Sequence, residues 1–205
     1  QPDFGTGLVI VLSALVLIFI SGVPIKYFIV IIAIGIVGMG VLIISAPYRL
    51  ERITAFINPW QDPLGSGFQG IQSLFAITPG GLIGHGFNKS IQKHFFLPEP
   101  QNDFIFAIVL EEMGLIGGIF VLSLYFIIIY RGIKNGTQVD NYFLKFLSIG
   151  ISISLAIQVF INVGVVVGLL PVTGITLPLF SYGGSSLLIT MFQMGILLSI
   201  SKYRN

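Results

Sequence analysis

Cysteine is absent from the 205 residues. That excludes disulfides, thiolate metal sites and a thiol nucleophile, and leaves the redox compartment open. Charge is scarce as well. Only 9% of the residues are Asp, Glu, Lys or Arg, whereas a soluble domain carries about 25%. Ten Lys and Arg stand against eight Asp and Glu, a net charge of +2, too small to mark a nucleic-acid binder. The two histidines, His85 and His94, are nine positions apart and poorly spaced for a metal cage, so no protein metal site is expected. Neither a Walker-type phosphate loop nor an HExxH motif occurs. Ser90, Ser181, Ser185 and Ser186 have no evident base beside them, which argues against a serine nucleophile. Internal repeats and low-complexity tracts are also missing.

Apolar residues fill the space that charge leaves. They make up 55% of the chain, with a mean hydropathy of +0.98. Such a chain is stable only with lipid as its main solvent. A helix crossing the hydrocarbon core needs about 20 residues. Apolar runs at 5–22, 27–46, 104–130, 142–170 and 185–201 meet or approach that length. Segment 68–87 is apolar on one side only, and its Pro79, Gly80 and Gly81 interrupt a regular helix. Broken backbone in lipid is tolerated only under a cover of protein or a watery cavity.

Charge asymmetry bears on whether 68–87 crosses. If it does, Arg49, Arg52, Arg131, Lys134, Lys145, Lys202 and Arg204 share one side, and Lys26, Lys89 and Lys93 the other. Basic loops face the cytoplasm. The expectation is therefore an all-α integral membrane protein: a polytopic helical bundle of about six transmembrane helices, with both ends of the chain inside. The runs are too long for the roughly ten-residue alternating strands of a barrel. Two outward loops follow, 88–103 and 171–184. The second is nearly uncharged and rich in Gly, Pro and hydroxyls, so it is expected to be re-entrant. The chain starts at Gln1, with no basic leader and cleavage site ahead of its first apolar run, and is read as the later part of a longer chain.

Asp103 stands at the mouth of helix 104–130. It suits a helix N-cap, as does Asn102. It equally suits a carboxylate that takes a proton from a hydroxyl near the membrane surface. Lys89, Lys93 and His94 in the same loop read as a solvated loop meeting lipid headgroups, or as a cationic cradle for a phosphate-bearing ligand. Glu99 adds an acid at the same level. Glu111 and Glu112 lie about two turns into the helix, where ionisable groups are costly and indicate function by default. Neighbouring helical positions do not share a face, so at most one of the two is expected to line a common cavity. Asn162 and Gln193 read as interhelical hydrogen-bond partners.

Several stretches together resemble one family. They are Gln1-Pro2-Asp3-Phe4-Gly5-Thr6, Asn58-Pro59-Trp60-Gln61-Asp62-Pro63, Gln72-Ser73-Leu74 and Leu97-Pro98-Glu99-Pro100-Gln101-Asn102-Asp103-Phe104. Two more are Pro171-Val172-Thr173-Gly174-Ile175-Thr176-Leu177-Pro178 and Ser181-Tyr182-Gly183-Gly184-Ser185-Ser186. In this order they resemble the SEDS family (shape, elongation, division and sporulation). The Asn-Pro-Trp and Pro-Glu-Pro-Gln forms look more like its division and sporulation branches than its elongation branch. The match runs over 1–205 and corresponds to the C-terminal half of a single polytopic membrane domain.

The resemblance implies a peptidoglycan glycosyltransferase of the bacterial cytoplasmic membrane with an outward-facing active site. Its substrate would be lipid II, a disaccharide-pentapeptide on undecaprenyl pyrophosphate. By the same resemblance the essential acid falls on Asp103, as general base. Lys93 or Lys89, or a divalent cation (Mg or Mn), would stabilise the leaving pyrophosphate. Substrate contacts are implied for Ser90 and Gln92 of the Ser-x-Gln-Lys element and for Gln72 and Ser73; for Glu99 and Glu111 they are expected from their charge near Asp103. The implied partners are a class B penicillin-binding protein, other divisome membrane proteins and membrane lipids. Competing readings are a flippase for lipid-linked cell-wall precursors, with its key charges near the membrane midplane, and a non-catalytic divisome scaffold.

Overall fold

A computed structural model describes residues 4–45, 47–95, 97 and 100–203. Among these residues the regular structure is entirely helical, as expected. The α-helices are α1 (Phe4–Ile20), α2 (Ile25–Ile44), α3 (Pro47–Ile57), α4 (Phe68–Gly80), α5 (Gln92–Phe95), α6 (Ile105–Thr137), α7 (Tyr142–Val166) and α8 (Gly184–Ile200). Three helices, Ile105–Thr137, Tyr142–Val166 and Gly184–Tyr203, are long and apolar enough to cross a membrane, and α1 and α2 contribute shorter apolar stretches. The amphipathic helix α3 was not expected from the sequence, because its eleven residues carry no long apolar run.

Local chemistry explains the helix ends. Asn141 caps α7, its side chain accepting from the N–H groups of Phe143 and Leu144 at 2.9 and 3.3 Å. The same helix stops at Val166, short of the expected 170, because Gly168 takes φ +74°. That left-handed residue lets Leu169 and Leu170 turn back and donate to the Gly164 carbonyl. α6 and α7 pack closely through small residues: Ser148 Oγ donates to the Gly132 carbonyl at 2.7 Å, and a Cβ at Gly132 would lie 2.1 Å from Ser152 Oγ.

The expected span at 68–87 is where the structure differs most. Its helix, α4, has 13 residues, about 20 Å in length, against a hydrocarbon core of about 30 Å. α4 starts beside the end of α7, where Ser73 Oγ donates to the Val166 carbonyl at 2.8 Å. It then descends along α6, so that a Cβ on Gly80 would meet the Leu110 carbonyl at 2.2 Å. The chain turns there and comes back to start α6 at the end where α4 began. Segment 68–104 therefore enters and returns at one end of the bundle and does not cross it.

The turn is built on a break in α6. Gly114 has φ +64° and ψ −166°, a conformation outside the helix. The carbonyls of Glu111 and Glu112 lose their helical partners and accept from the N–H groups of His85 and Gly86 at 3.1 and 2.9 Å. The N–H groups of Leu115 and Ile116 donate to Gly81 and Leu82 at 3.0 and 3.2 Å. Four exposed backbone groups are thus paired by the re-entrant turn, the cover that broken backbone in lipid requires.

Segment 171–184 is re-entrant as expected. Near its ends a Cβ on Gly174 would lie 3.7 Å from Asp103 Oδ2, and the Tyr182 N–H donates to the Gln101 carbonyl at 2.8 Å. At its tip the Tyr125 hydroxyl donates to the Pro178 carbonyl, far along α6. Ile175 and Leu177 are buried in the core.

These contacts also sort the bundle's two ends. The Arg52 guanidinium donates to the Val172 carbonyl at 3.0 Å, so α3 belongs with loop 171–184 and not with Arg131 and Lys134. α1 begins at that same end, where a Cβ on Gly5 would lie 2.9 Å from the Thr173 carbonyl, and runs antiparallel to α7, with Leu17 against Gly150. Lys26, just past the end of α1, therefore sits at the opposite end from the one expected. The start of α1 and the end of α8 likewise lie at opposite ends, not both on one side. Among the described residues the end bearing Asp103 carries Arg52, Lys89 and Lys93 with Glu51, Asp62, Glu111 and Glu112. The other carries Lys26, Arg131, Lys134, Lys145 and Lys202 with Asp140.

Candidate active site

Asp103 is half-buried one residue before Phe104, the N-cap of α6. No side-chain capping bond forms at that cap. The backbone carbonyl of Asp103 accepts from Asn162 Nδ2 at 2.7 Å. The same Nδ2 donates to the Ile175 carbonyl at 2.7 Å. Asn162 is 1% exposed. One buried amide thus ties the start of α6, the body of α7 and the re-entrant loop together at the level of Asp103. Gly174, at φ +77°, packs beside the carboxylate, where a Cβ would lie 3.7 Å from Asp103 Oδ2. We predict that Asn162→Asp, which keeps the shape and removes both donors, costs about 2–4 kcal/mol of stability from two buried carbonyls left unpaired. A melting curve equal to wild type would contradict this role.

A second polar centre lies about 12 Å further along α6. Glu111 and Glu112 are 2% and 7% exposed. Glu111 accepts from Ser90 Oγ at 2.5 Å and from the N–H groups of Ile91 and Gln92 at 2.9 and 3.4 Å. Glu112 accepts from the N–H groups of Asn88 and Ser90 at 2.9 and 3.3 Å and from Lys93 Nζ at 2.7 Å. Lys93 Nζ also donates to Asn88 Oδ1 at 2.6 Å. Both carboxylates are therefore engaged, contrary to the expectation that only one would face a shared site. Neighbouring helical side chains diverge by about 100°, but loop 88–93 wraps around this stretch of α6 and meets both.

The other expected site residues divide accordingly. Ser90, Gln92, Lys93 and Glu111 come together in this network. Ser90 does have a carboxylate beside it, unlike the reading from sequence, but at 2% exposure it is a buried clamp. Lys93 is committed to Glu112 and is not an open phosphate cradle; Lys89 is exposed. Ser73 is buried against α7, and Gln72 is half-buried on the same helix. Glu99 lies outside the described residues, as does the side chain of His94. Sequence reasoning passed over Glu112 and Asn88 as partners of Lys93. Nothing in their spacing marks a pair nineteen residues apart across a turn.

The acid pair does not fit a divalent cation. Its oxygens receive N–H, O–H and ammonium donors, and among the described residues no three of His, Asp or Glu cluster as a metal site. A cavity of about 460 Å³ opens elsewhere at this end, between α3, the start of α4 and residues 165–172, with Arg52, Phe56, Phe68, Gln69 and Val172 in its wall.

The ion pair between buried Glu112 and partly exposed Lys93 gives a stability prediction. Lys93→Met strands the Glu112 carboxylate and is expected to cost about 3 kcal/mol. Lys93→Met combined with Glu112→Gln is expected to cost less than Lys93→Met alone. Thermal unfolding of the full-length protein checks the sign of that coupling, and strict additivity would refute the pairing.

The model of the cell cycle protein family that groups FtsW, RodA and SpoVE matches residues 1–205, the whole chain. The chain belongs to this family. It is the SEDS family whose motifs the sequence resembles, and its members are membrane proteins in keeping with the apolar helices here. Stage V sporulation protein E of Bacillus subtilis is 53% identical over 203 residues, covering 99% of this chain and 56% of its own length. A probable peptidoglycan glycosyltransferase FtsW of Escherichia coli is 45% identical over 203 residues, covering 98% of this chain and 49% of its own. Among solved structures, a chain of a peptidoglycan synthase complex that coordinates polymerization and crosslinking matches at a TM-score of 0.76 and 34% identity, over 100% of this chain and 57% of that one. The rod shape determining protein RodA of Thermus thermophilus matches at 0.62 and 27% identity, over 100% of this chain and 51% of its own. The chain thus spans about half the length of these SEDS relatives.

Proposed function

We propose that this chain is the C-terminal half of a peptidoglycan glycosyltransferase that polymerises lipid II at the outer face of the bacterial cytoplasmic membrane. Asp103 is its general base. The observation that carries the reading is the setting of Asp103: half-buried at the mouth of α6, braced through its own carbonyl by Asn162, with Gly174 of the re-entrant loop beside its carboxylate. The names of the FtsW relatives support the reaction class.

The charge at the two ends supports the orientation. Five cations and one acid, all named above, mark the end away from Asp103, and basic ends face the cytoplasm. In this reading α6, α7 and α8 cross by length and α1 and α2 cross as shorter apolar helices that run between the two ends, with segments 68–104 and 171–184 re-entrant from outside.

In the reaction, the 4-hydroxyl oxygen of one sugar bonds to the anomeric carbon of another. The bond from that carbon to the lipid pyrophosphate breaks, and the hydroxyl proton passes to the Asp103 carboxylate. An ordinary carboxylate is a weak base for a sugar hydroxyl, so its help comes as the proton becomes acidic in the transition state. Lys89, exposed at the same end, supplies positive charge to the departing pyrophosphate. The network of Glu111, Glu112, Ser90 and Lys93 holds the loop that leads to Asp103. The partner is a class B penicillin-binding protein, in line with the synthase complex among the structural relatives. Division or sporulation is the favoured setting, since identity is 53% and 45% to SpoVE and FtsW and 27% to RodA.

The test uses the full-length protein purified with its penicillin-binding partner, the transpeptidase blocked by a β-lactam, and labelled lipid II. Glycan polymer on a gel supports the enzyme. Lipid II crossing vesicles without polymer would replace it with transport, and neither activity would leave the scaffold.

A further inference from the structure

A groove of about 690 Å³ lies at the other end of the bundle, between the last turns of α6 and α8. Its rim carries Arg131, Lys134, Asn135 and Ser201, and Tyr130 lies beside Lys134, whose Nζ stands 6.0 Å from the ring centroid. Among the described residues no acidic side chain lines it. Arg131 and Lys134 are exposed. A cation near a helix C-terminus can simply complement the backbone dipole, but that effect is confined to the last turn. Lys134 is in the last turn of α6, which ends at Thr137; Arg131 is not.

The groove is graded along the bundle axis. Ile128 on α6 and Met194 and Leu197 on α8 lie toward the bundle middle. Arg131, Lys134, Asn135 and Ser201 follow them toward the end of both helices. Apolar wall below and paired cations above is the polarity of a lipid molecule, with its acyl chain inward and its phosphate at the interface. A soluble anion would have no use for the apolar wall, and a zwitterionic headgroup would leave the second cation unmatched. Basic pockets between membrane helices recognise anionic headgroups on this physical basis.

We propose that this groove is a binding site for an anionic phospholipid, with Arg131 and Lys134 on the phosphate and Met194 and Leu197 along the upper acyl chain. The site is separate from the proposed catalytic centre and does not depend on that assignment.

The experiment uses the full-length protein and counts retained lipid by native mass spectrometry after exchange into equal phosphatidylglycerol and phosphatidylcholine. Wild type is expected to retain phosphatidylglycerol selectively. Arg131→Ala with Lys134→Ala is expected to lower that selectivity by about thirtyfold, from the contribution of two basic residues near the surface. The control, Lys26→Ala with Lys145→Ala, removes the same charge from the same end outside the groove and is expected to retain wild-type selectivity. Met194→Trp, which fills the apolar wall and keeps both cations, is expected to lose the lipid as well. Unchanged selectivity in Arg131→Ala with Lys134→Ala would overturn the proposal, as would an equal loss in the control. Displacement of the lipid by millimolar glycerol phosphate would assign the site to a soluble anion instead.

Discussion

Asp103→Asn is expected to lower the rate of glycan polymerisation by about 10²–10⁴-fold, the range for loss of a positioned general base. Asn keeps the size of the side chain and removes its capacity to take a proton. The backbone carbonyl that Asn162 holds is unchanged by this substitution, and the half-buried position asks for no new cavity. The variant should therefore match wild type in melting temperature while its polymer disappears. The loss should fall on turnover more than on lipid II binding, because proton acceptance matters only in the transition state. Equal polymer from both proteins would remove Asp103 from the mechanism. The acid pair is a poor substitute, since both carboxylates are saturated by donors from loop 88–93.

The second large effect is on folding. Gly114→Ala is expected to destabilise the full-length protein by about 3 kcal/mol or more. Two causes add. The backbone at φ +64° and ψ −166° lies in a region that only glycine enters without strain. A Cβ there would also meet the backbone nitrogens of Ile83 and Gly84 at 2.5 Å. Those atoms belong to the turn that pairs the broken helix, so relaxing the clash breaks the bonds from Leu115 and Ile116 to Gly81 and Leu82. Gly70→Ala is the matched control. Its Cβ would enter open space within α4, and alanine in a helix is favoured over glycine by about 1 kcal/mol. Thermal denaturation followed by size-exclusion chromatography should show opposite signs for the two variants. A Gly114→Ala protein as stable as Gly70→Ala would mean that α6 runs unbroken.

Much was legible in the chain because it rests on short-range pattern. Long apolar runs with little charge dictate helices in lipid, and α1, α2, α6, α7 and α8 appear within a few residues of their expected bounds, α6 continuing seven residues further. The Gly- and Pro-rich stretch 171–184 could not form a helix, and its apolar content drew it back among the others. Asp103 was singled out by its place before an apolar run; Asn162 was read as a hydrogen-bonding residue, but its partners are the carbonyls of two loop residues, Asp103 and Ile175, and not another helix.

What failed was direction. Whether 68–87 crosses depends on where the chain goes after Gly80, and no local period encodes that. The answer lies in α6, some thirty residues later, whose break at Gly114 exposes four backbone groups that a returning turn can pair. Once that turn is inserted, Arg52 and Lys26 exchange ends, Lys93 reaches Glu112, and the expected phosphate cradle becomes an internal clamp. The amino-acid sequence by itself determined the solvent, the helical class, the family and the acid at the mouth of α6, since each follows from composition or from contiguous motifs. Tertiary structure alone decided which charges are neutralised and which end of the bundle each segment joins, because burial and pairing arise between residues that are distant in the chain.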